Sequence, residues 1–311
     1  LMPKKIIFMG TPIFAVPILK SLYQNGYPIS VVYTQPPQKS NRGHKINKSP
    51  IQNIAETLNI DFRSPHTLQD NLEEYQYLKN MDADLAIVVA YGQLIPKNFL
   101  ELTKKGFINI HGSILPKWRG AAPIQRSIMN LDEETGISIM KIVEELDSGP
   151  ISNIYKIKVD PDQNAEEISE KLSSLAAEKI LNNLDDILDD KAKFFDQDHL
   201  KATYAKKINK DEGQINWNEK ASKLIGKING LFPVPGAFFN FDGERYKILK
   251  AKIGNGAGKV GEVITNNLEI ACSNNQSIKI LEIQRQGKKP QKVNEFMLGS
   301  KIKKGSIIIN V

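Results

Sequence analysis

The chain has 311 residues, of which 41% are hydrophobic and 25% are charged, and its formal net charge is +7. This length predicts two domains, each with a hydrophobic core of its own, and the composition is that of a globular protein rather than a disordered or fibrous one. The longest apolar runs are far too short to cross a bilayer and the N-terminus lacks the apolar core of a secretory signal, so we expect a cytoplasmic protein with no membrane role.

The cysteine count and the charge distribution add two constraints. Cys272 has no second cysteine to pair with, which excludes an internal disulfide and a cysteine-rich zinc site and fits a reducing cytosol. Residues 207–311 hold 18 Lys and Arg against 9 Asp and Glu, whereas the remainder of the chain holds 24 against 26. The basic C-terminal third indicates either a surface for a polyanion or a lysine-rich surface that serves solubility.

Short apolar runs in the first half of the chain predict an open α/β sheet. The predicted strands are Lys5–Met9, Ile29–Tyr33, Leu85–Ala90 and Phe107–His111. Gly10 ends the first run, and residues 14–22 follow with the apolar spacing of a helix. The run Leu85–Ala90 does not alternate with polar residues, as is typical of a strand buried on both faces of a parallel sheet. Ligands of such sheets bind beyond the carboxyl ends of the strands, which directs attention to Gly10, Tyr91 and His111.

The second half of the chain changes character after one long helix. Residues 164–189 have a helical apolar stripe with Asn164 as a cap, and residues 190–206 form a polar connector. Beyond them, turn-forming pairs separate short alternating runs, which favours a small all-β domain, a barrel. These pairs are Asp242-Gly243, Asn255-Gly256, Asn266-Asn267 and Asn274-Asn275. We therefore predict a catalytic domain at 2–189, a linker at 190–206 and a C-terminal domain at 207–311.

The segment 107–124 contains the strongest combination of chemically useful side chains. In a strand, Asn109 and His111 project to the same face, about 6–7 Å apart along the backbone, so both can approach one reacting atom. An asparagine amide can donate to a developing oxyanion, and a histidine can accept a proton from an amine. A histidine at a strand end is more often a structural residue, so the pair alone leaves both interpretations open.

Asp147, which precedes a Ser-Gly pair, could complete this set. In a tight turn its carboxylate would bond its own backbone, whereas against His111 it would orient the imidazole and fix its tautomer. Other catalytic patterns are missing from the sequence. Pro12 stands where a dinucleotide-binding turn needs its second glycine, and there is no Walker loop, serine nucleophile elbow or His/Cys metal cluster. We therefore expect catalysis without a metal.

Residues 35–49 form an acid-free segment with four basic side chains, Lys39, Arg42, Lys45 and Lys48. A loop of this composition beside the catalytic edge would suit contact with the phosphates of a nucleic acid. A solvated loop tip would have the same composition. The segment by itself does not decide between the two.

Several motifs are shared with one known family. The most specific is Asn109-Ile-His-Gly-Ser-Ile-Leu-Pro-Lys-Trp-Arg-Gly-Ala-Ala-Pro-Ile-Gln125, which resembles the folate-dependent formyltransferases. The others are Gly10-Thr-Pro, Ala90-Tyr-Gly92, Leu146-Asp-Ser-Gly149, Ala205-Lys-Lys207, Ile215-Asn-Trp217, Pro233-x-Pro-Gly-Ala237 and Gln286-Gly-Lys288. Together they span nearly the whole chain and resemble the methionyl-tRNA formyltransferase family.

This resemblance implies a Rossmann-like α/β domain with a parallel-rich sheet, followed by an OB-like barrel, and 10-formyltetrahydrofolate as formyl donor. It places Asn109 against the formyl oxygen, His111 at the oxyanion or the amine proton, and Asp147 beside His111. The implied donor contacts are Ala90, Tyr91, Gly92, Gln93, Leu94, Ile95, Pro96, Ser113, Ile114, Leu115 and Pro116. The implied contacts to initiator methionyl-tRNA are Lys39, Arg42, Lys45, Lys48, Lys207, Lys288 and Lys289. We expect the enzyme to act as a monomer.

Four alternatives carry similar motifs or composition. Glycinamide ribonucleotide formyltransferase shares the Asn, His and Asp set but leaves the basic β-domain unexplained. Sugar-amine formyltransferases and the hydrolase domain of formyltetrahydrofolate dehydrogenase carry similar Arg-Gly-Ala motifs. A non-catalytic RNA-binding protein on a decayed formyltransferase scaffold is the alternative outside the enzymes, and the intact Asn109, His111 and Asp147 argue against it.

Overall fold

The computed structural model describes residues 4–39 and 46–310 of the chain. Within these residues the strands are β1 (Ile6–Gly10), β2 (Ile29–Tyr33), β3 (Gln38–Lys39), β4 (Ile46–Asn47), β5 (Phe62–Arg63), β6 (Leu85–Val89), β7 (Phe107–His111), β8 (Arg119–Gly120), β9 (Glu134–Lys141), β10 (Ile151–Lys158), β11 (Tyr204–Ala205), β12 (Ala237–Phe241), β13 (Glu244–Ile253), β14 (Glu269–Cys272), β15 (Gln276–Arg285) and β16 (Gln291–Lys292). The α-helices are α1 (Val16–Gln24), α2 (Pro50–Thr57), α3 (Leu72–Met81), α4 (Lys97–Leu100), α5 (Pro123–Met129), α6 (Ala165–Leu188), α7 (Ala221–Leu231) and α8 (Val293–Gly299). Short 3₁₀ helices lie at Ile13–Ala15, His199–Lys201 and Lys210–Gly213.

Seven strands form one sheet in the order β10-β9-β7-β6-β1-β2-β5. β1 pairs in parallel with β2 and β6, β6 with β7, and β2 with β5, whereas β9 runs antiparallel to β7. This confirms the predicted parallel-rich α/β sheet. The ends of the four predicted strands differ from those of β1, β2, β6 and β7 by no more than one residue.

Two local sequence features explain why these elements form where they do. All five residues of β6 are buried, and its uninterrupted apolar run fits a strand that lies between β7 and β1 with neither face in water. α6 begins at a capping box, in which Asn164 Oδ1 accepts from the Glu167 amide and the Glu167 carboxylate accepts from the Asn164 amide, both at 2.9 Å. The predicted helix and its cap are therefore confirmed.

The C-terminal strands form a second, antiparallel sheet in the order β12-β13-β15-β14, with β16 beside β15. Asp242 and Gly243 both have positive φ, 48° and 74°, which is the backbone that a two-residue hairpin needs between β12 and β13. Trp217, Phe239 and Tyr246 pack in the core of this sheet with the buried side of α7. The predicted β-domain is present and its antiparallel strands agree with a barrel, but the prediction that it is all-β is wrong, because α7 and α8 also lie in it.

The chain divides into two compact units, each drawn from separate segments. The first contains the described residues up to Gly120, then Gly136–Lys156 and Ser169–Tyr204. The second contains Ala121–Thr135, Ile157–Ile168 and the described residues from Ala205 onwards. The division predicted from sequence, 2–189, 190–206 and 207–311, follows the chain continuously. The predicted division did not place α5 with the C-terminal unit. In the structure, Gly226 and Gly230 of α7 approach Met129 closely, and a Cβ on Gly230 would lie 2.5 Å from the Met129 side chain.

Candidate active site

The first unit has the sheet edge at which ligands of open α/β folds bind. β1, β6 and β7 are parallel, so their carboxyl ends meet at one edge, and the order of the strands reverses between β1 and β6. Thr11, which follows β1, donates its hydroxyl hydrogen to the Tyr91 carbonyl at 2.7 Å and accepts the Gln35 amide at 3.2 Å. Gly92 has a φ of +86°, and a Cβ there would lie 2.8 Å from Gln35 Nε2. Because of this φ and the closeness of Gln35, glycine is favoured at position 92, next to the place where the strand order reverses.

His111 ends β7, and its side chain is only 7% exposed. Its Nε2 lies 2.8 Å from the Trp118 carbonyl oxygen. A carbonyl oxygen can only accept a hydrogen bond, so Nε2 carries the proton and donates it. In the neutral ring Nδ1 is then unprotonated, and this nitrogen faces Asp147 Oδ2 at 3.8 Å.

The His111 tautomer is thus set by the Trp118 carbonyl and not, as the sequence led us to expect, by Asp147. A separation of 3.8 Å is longer than a hydrogen bond, and Asp147 Oδ2 instead accepts the Gly120 amide at 2.8 Å. The carboxylate still faces the nitrogen that is free to take up a proton. It would attract the imidazolium that results.

Asn109 lies two residues before His111 on β7, and strand alternation places both side chains on the same face. It is half-buried, between β6 and β9, and its backbone is paired with Val88 and Met140. Its carboxamide makes no hydrogen bond to another side chain or backbone group in the described part of the chain. The amide is therefore available to a ligand.

Two family models match the chain and together cover most of it. The model described as formyl transferase matches residues 4–184, and that described as formyl transferase, C-terminal domain, matches residues 207–301. A methionyl-tRNA formyltransferase of Pelagibacter ubique is 67% identical over 310 residues and is covered, like this chain, at 100%. Another, of Chelativorans sp., is 40% identical, with 98% of this chain and 99% of the relative covered.

The chain belongs to the methionyl-tRNA formyltransferase family. Membership confirms the prediction of a formyl-transferring enzyme that was made from the motifs. Membership disfavours the alternative of a glycinamide ribonucleotide formyltransferase, because that enzyme would leave the C-terminal domain unexplained.

Solved structures share the fold at low sequence identity. One is a sugar 3N-formyl transferase, WlaRD, crystallised in the presence of dTDP and 5-N-formyl-THF. Its TM-score is 0.69 at 18% identity, and the match covers 93% of this chain and 100% of WlaRD. HypX from Aquifex aeolicus, in complex with tetrahydrofolic acid, has a TM-score of 0.60 at 16% identity, with 96% of this chain and 47% of HypX covered. These likenesses establish the fold and no more.

The residues that the sequence assigned to the donor site fall into two groups. Some are accessible to a ligand, and these are Ala90, Gly92, Gln93, Leu94, Ile114 and Pro116. The others are buried, and these are Tyr91, Ile95, Pro96, Ser113 and Leu115. Burial raises the pKa of the Tyr91 phenol, with the Glu74 charge as a smaller cause, and its ring packs in the core of the first unit. The buried members can therefore contribute through their backbone alone.

An exposed ion pair joins the end of the 90–96 segment to the loop that precedes Asp147. Lys97 Nζ, directly after the 90–96 segment, pairs with Glu144 Oε2 at 3.1 Å, in the 142–147 loop. Leu94 and Leu146 are 75% and 59% exposed, which leaves apolar surface on both segments. The 113–116 turn is fixed separately, because Ser138 on β9 donates to the Ser113 carbonyl at 2.7 Å.

The basic residues assigned to RNA are placed less uniformly. Lys39 lies in β3, whose backbone pairs with β4, so the base of the 35–49 segment is a short hairpin. Arg42 and Lys45 lie outside the described residues. Lys48 is exposed but pairs with Glu56 at 2.9 Å, a hydrogen bond that lowers the pKa of that carboxyl. Lys207 has an exposed side chain, and its carbonyl accepts from Arg126 at 3.2 Å within the second unit.

Lys288 and Lys289 line a cavity of about 390 Å³ in the second unit. Arg285 and Lys301 share this lining, with Glu295 as its acidic member. Arg285 is bound by Glu244, so the two lysines and Lys301 supply most of the uncompensated charge. The cavity suits an anionic group such as a phosphate.

Sequence reasoning missed three residues in the surroundings of His111 and Asp147. The Trp118 carbonyl orients His111, the Arg119 side chain is 1% exposed, and Gln197 contacts the backbone of the loop that holds Asp147. Trp118 and Arg119 lie inside the family motif, but nothing in the sequence marks a backbone carbonyl as a hydrogen-bond partner. Gln197 sits in the connector, where a polar residue predicts exposure.

Neither a metal site nor a membrane span is found in the part of the chain that the structure describes. No three His, Cys, Asp or Glu residues are grouped there to hold an ion, and none of its helices is both long and apolar enough to span a bilayer. Metal-free catalysis therefore stays a prediction from the sequence.

Proposed function

We propose that the enzyme transfers the formyl group of 10-formyltetrahydrofolate to the amino group of methionyl initiator tRNA, and that Asn109, His111 and Asp147 perform the transfer. One observation carries this assignment of residues. The Trp118 carbonyl fixes the proton of His111 on Nε2, which leaves Nδ1 unprotonated and facing Asp147 beside the free amide of Asn109.

His111 accepts the proton of the attacking amine through Nδ1. The methionine nitrogen bonds to the formyl carbon, the bond from that carbon to the donor nitrogen breaks, and the leaving nitrogen takes up a proton. Asp147 lies 3.8 Å from Nδ1, so its carboxylate stabilises the imidazolium formed in between. The proton on Nδ1 can then be returned to the leaving nitrogen.

Asn109 stabilises the negative charge that develops on the formyl oxygen. Its carboxamide is already held on a central strand and has no described protein partner to give up, which is the condition for a preorganised donor. Because Asn109 and His111 project from the same face of β7, the oxygen and the amine can be served from one side of the formyl group.

The residues at the sheet edge fit a reduced folate. Exposed Ala90, Gly92 and Leu94 lie in the segment before Lys97, which pairs with Glu144 of the 142–147 loop, and the buried members of the 90–96 and 113–116 segments offer backbone donors and acceptors. Gly92 has a φ of +86°, a left-handed backbone conformation that favours glycine at this position of the edge. Bound at this edge, the folate supplies an activated formyl group, and the chain's own residues orient it.

Two basic regions support tRNA as the acceptor. The 35–49 segment is anchored next to the sheet edge, because Gln35 bonds to Thr11 at one end and Ser49 to Thr34 at the other, at 2.6 Å. The second unit carries the basic cavity with Lys288 and Lys289. The first region would place the acceptor end and the second would add affinity through counterion release. Arg42 and Lys45 stay predicted contacts.

The test is an acid-urea gel shift of methionyl initiator tRNA after incubation with enzyme and 10-formyltetrahydrofolate. We expect the shift of N-formylmethionyl-tRNA, and no product when labelled donor is supplied with a UDP-amino sugar in place of tRNA. A labelled sugar product with unshifted tRNA would contradict the proposal. Loss of formate from the donor without either acceptor would instead indicate a hydrolase.

A further inference from the structure

Arg119 is a buried arginine whose partners are neutral. Its side chain is 1% exposed, and its Nε and Nη2 donate to Gln197 Oε1 at 3.1 and 2.9 Å. Nη2 also donates to His199 Nδ1 at 3.0 Å. Among the described residues it forms no ion pair with a carboxylate. A buried guanidinium held by an amide is an arrangement that calls for a specific role, since a carboxylate would stabilise the charge better.

The other end of Gln197 holds the loop that carries Asp147. Its Nε2 donates to the Asp147 carbonyl and to the Gly149 carbonyl, both at 2.8 Å, and the side chain is 6% exposed. Both hydrogens and the oxygen of the amide are therefore used. Gln197 is 50 residues away from Asp147 in sequence.

The loop itself is tightly constrained. Asp147 has a φ of +48°, in the left-handed region. A Cβ on Gly149 would lie 1.9 Å from the Lys141 carbonyl oxygen, so the backbone approaches β9 as closely as a glycine allows. Gly120, next to Arg119 in sequence, donates its amide to Asp147 Oδ2 at 2.8 Å. The backbone of Asp147 is thus fixed through Gln197 and its carboxylate through Gly120.

We propose that Gln197, held by Arg119, is a positioning residue that keeps the Asp147 carboxylate at its distance from His111 Nδ1. This rests on the role given above to Asp147. Only an amide can fill the position, because it must accept from the guanidinium and donate twice to carbonyls. A carboxylate accepts but cannot donate, and a thioether is only a weak acceptor that cannot donate.

Gln197→Glu separates positioning from support of Arg119. The variant keeps an acceptor for the guanidinium, and gains an ion pair with it, while the two hydrogen bonds to the loop are lost. We expect turnover with methionyl initiator tRNA to fall about tenfold to a hundredfold, as for a misplaced reacting group, with the Michaelis constants for tRNA and folate within about twofold of wild type. Gln76→Glu, the same change on the exposed face of α3, is the control and should leave turnover unchanged.

A second readout does not depend on activity. Loss of the two hydrogen bonds from Gln197 to the loop should free the Asp147 carboxylate from the Gly120 amide. Exchange of that amide with deuterium, followed by NMR, should therefore become at least about tenfold faster in Gln197→Glu than in Gln76→Glu. A merely structural glutamine would change the melting temperature and leave both the turnover and this amide unaltered.

The outcomes distinguish this inference from the proposed function. If the wild-type enzyme does not formylate methionyl initiator tRNA, the proposed function fails, whatever the exchange data show. If it does, and Gln197→Glu keeps wild-type turnover or wild-type exchange at Gly120, the positioning role is wrong.

Discussion

Replacing Asn109 by alanine should remove transition-state stabilisation with little effect on folding. The carboxamide is half-buried and has no hydrogen-bond partner among the described residues, so its loss leaves no protein group unsatisfied. The free energy of unfolding should change by no more than about 0.5 kcal/mol, as for a substitution that disrupts no packing or hydrogen bond.

The expected kinetic effect follows from the chemistry of an oxyanion donor. Removing one such donor costs about 2.7–4 kcal/mol, and each 1.36 kcal/mol of barrier is about tenfold in rate, so turnover should fall by about a hundredfold to a thousandfold. The loss should appear in kcat, because the interaction strengthens only as charge develops on the formyl oxygen. Rapid-quench formylation of methionyl initiator tRNA at saturating donor measures it directly.

Asn153→Ala is the matched control. Asn153 is also a half-buried asparagine on a strand, β10 at the edge of the same sheet, and its carboxamide, like that of Asn109, makes no hydrogen bond to a described residue. We expect wild-type kcat for this variant. The reasoning is refuted if Asn109→Ala retains kcat within about threefold of wild type, or if both asparagine variants lose activity equally.

Three further perturbations test other parts of the account. Replacing Lys288 and Lys289 together by alanine should raise the Michaelis constant for tRNA with kcat little changed, and should reduce the slope of its logarithm against log salt by about 1.4–1.8, as for two lost phosphate contacts; a salt titration checks this. Burial alone would raise the pKa of Glu269, but hydrogen bonds from Ser277 and the Gly256 amide, aided by the Lys279 charge, lower it overall, so the ionised form stabilises the second unit. This stabilisation is present at pH values above the ordinary pKa of a glutamate, and it is lost as the pH falls through the lowered pKa. In thermal melts between pH 7 and 3, the melting temperature of Glu269→Gln should be several degrees below that of wild type at neutral pH, and the difference should shrink below about pH 4.3. Exhaustive chelation should leave turnover unchanged, and a loss that zinc restores would contradict metal-free transfer.

The parts of the fold that sequence predicted are those in which local pattern and environment agree. β6 is an uninterrupted apolar run because it is buried on both faces, and the Asp242-Gly243 turn forms a hairpin because both residues tolerate positive φ. The shared face of Asn109 and His111 was predictable because strand alternation alone places both side chains there. In each case the information lies within a few residues.

The parts that sequence did not predict depend on contacts between distant segments. The Trp118 carbonyl is a backbone group, and its bond to His111 reflects how the following turn folds back rather than which residue stands there. Gln197 contacts a loop 50 residues away in sequence, and a glutamine is a residue usually found at the surface. The packing of α5 in the C-terminal unit likewise depends on glycines of α7 that allow a close approach. The hydrophobic pattern of the sequence does not reveal this contact.

The central claim is that Asn109, His111 and Asp147 act as one catalytic unit in formyl transfer to methionyl initiator tRNA. The most direct measurement is the single-turnover rate of N-formylmethionyl-tRNA formation, with enzyme in excess over tRNA, for each single alanine variant and for the triple variant. We predict that each single change slows transfer by about a hundredfold or more and that the triple variant is little slower than the slowest single one, as for residues that act as a unit. Single variants close to wild type, or losses that multiply as for independent residues, would contradict the account.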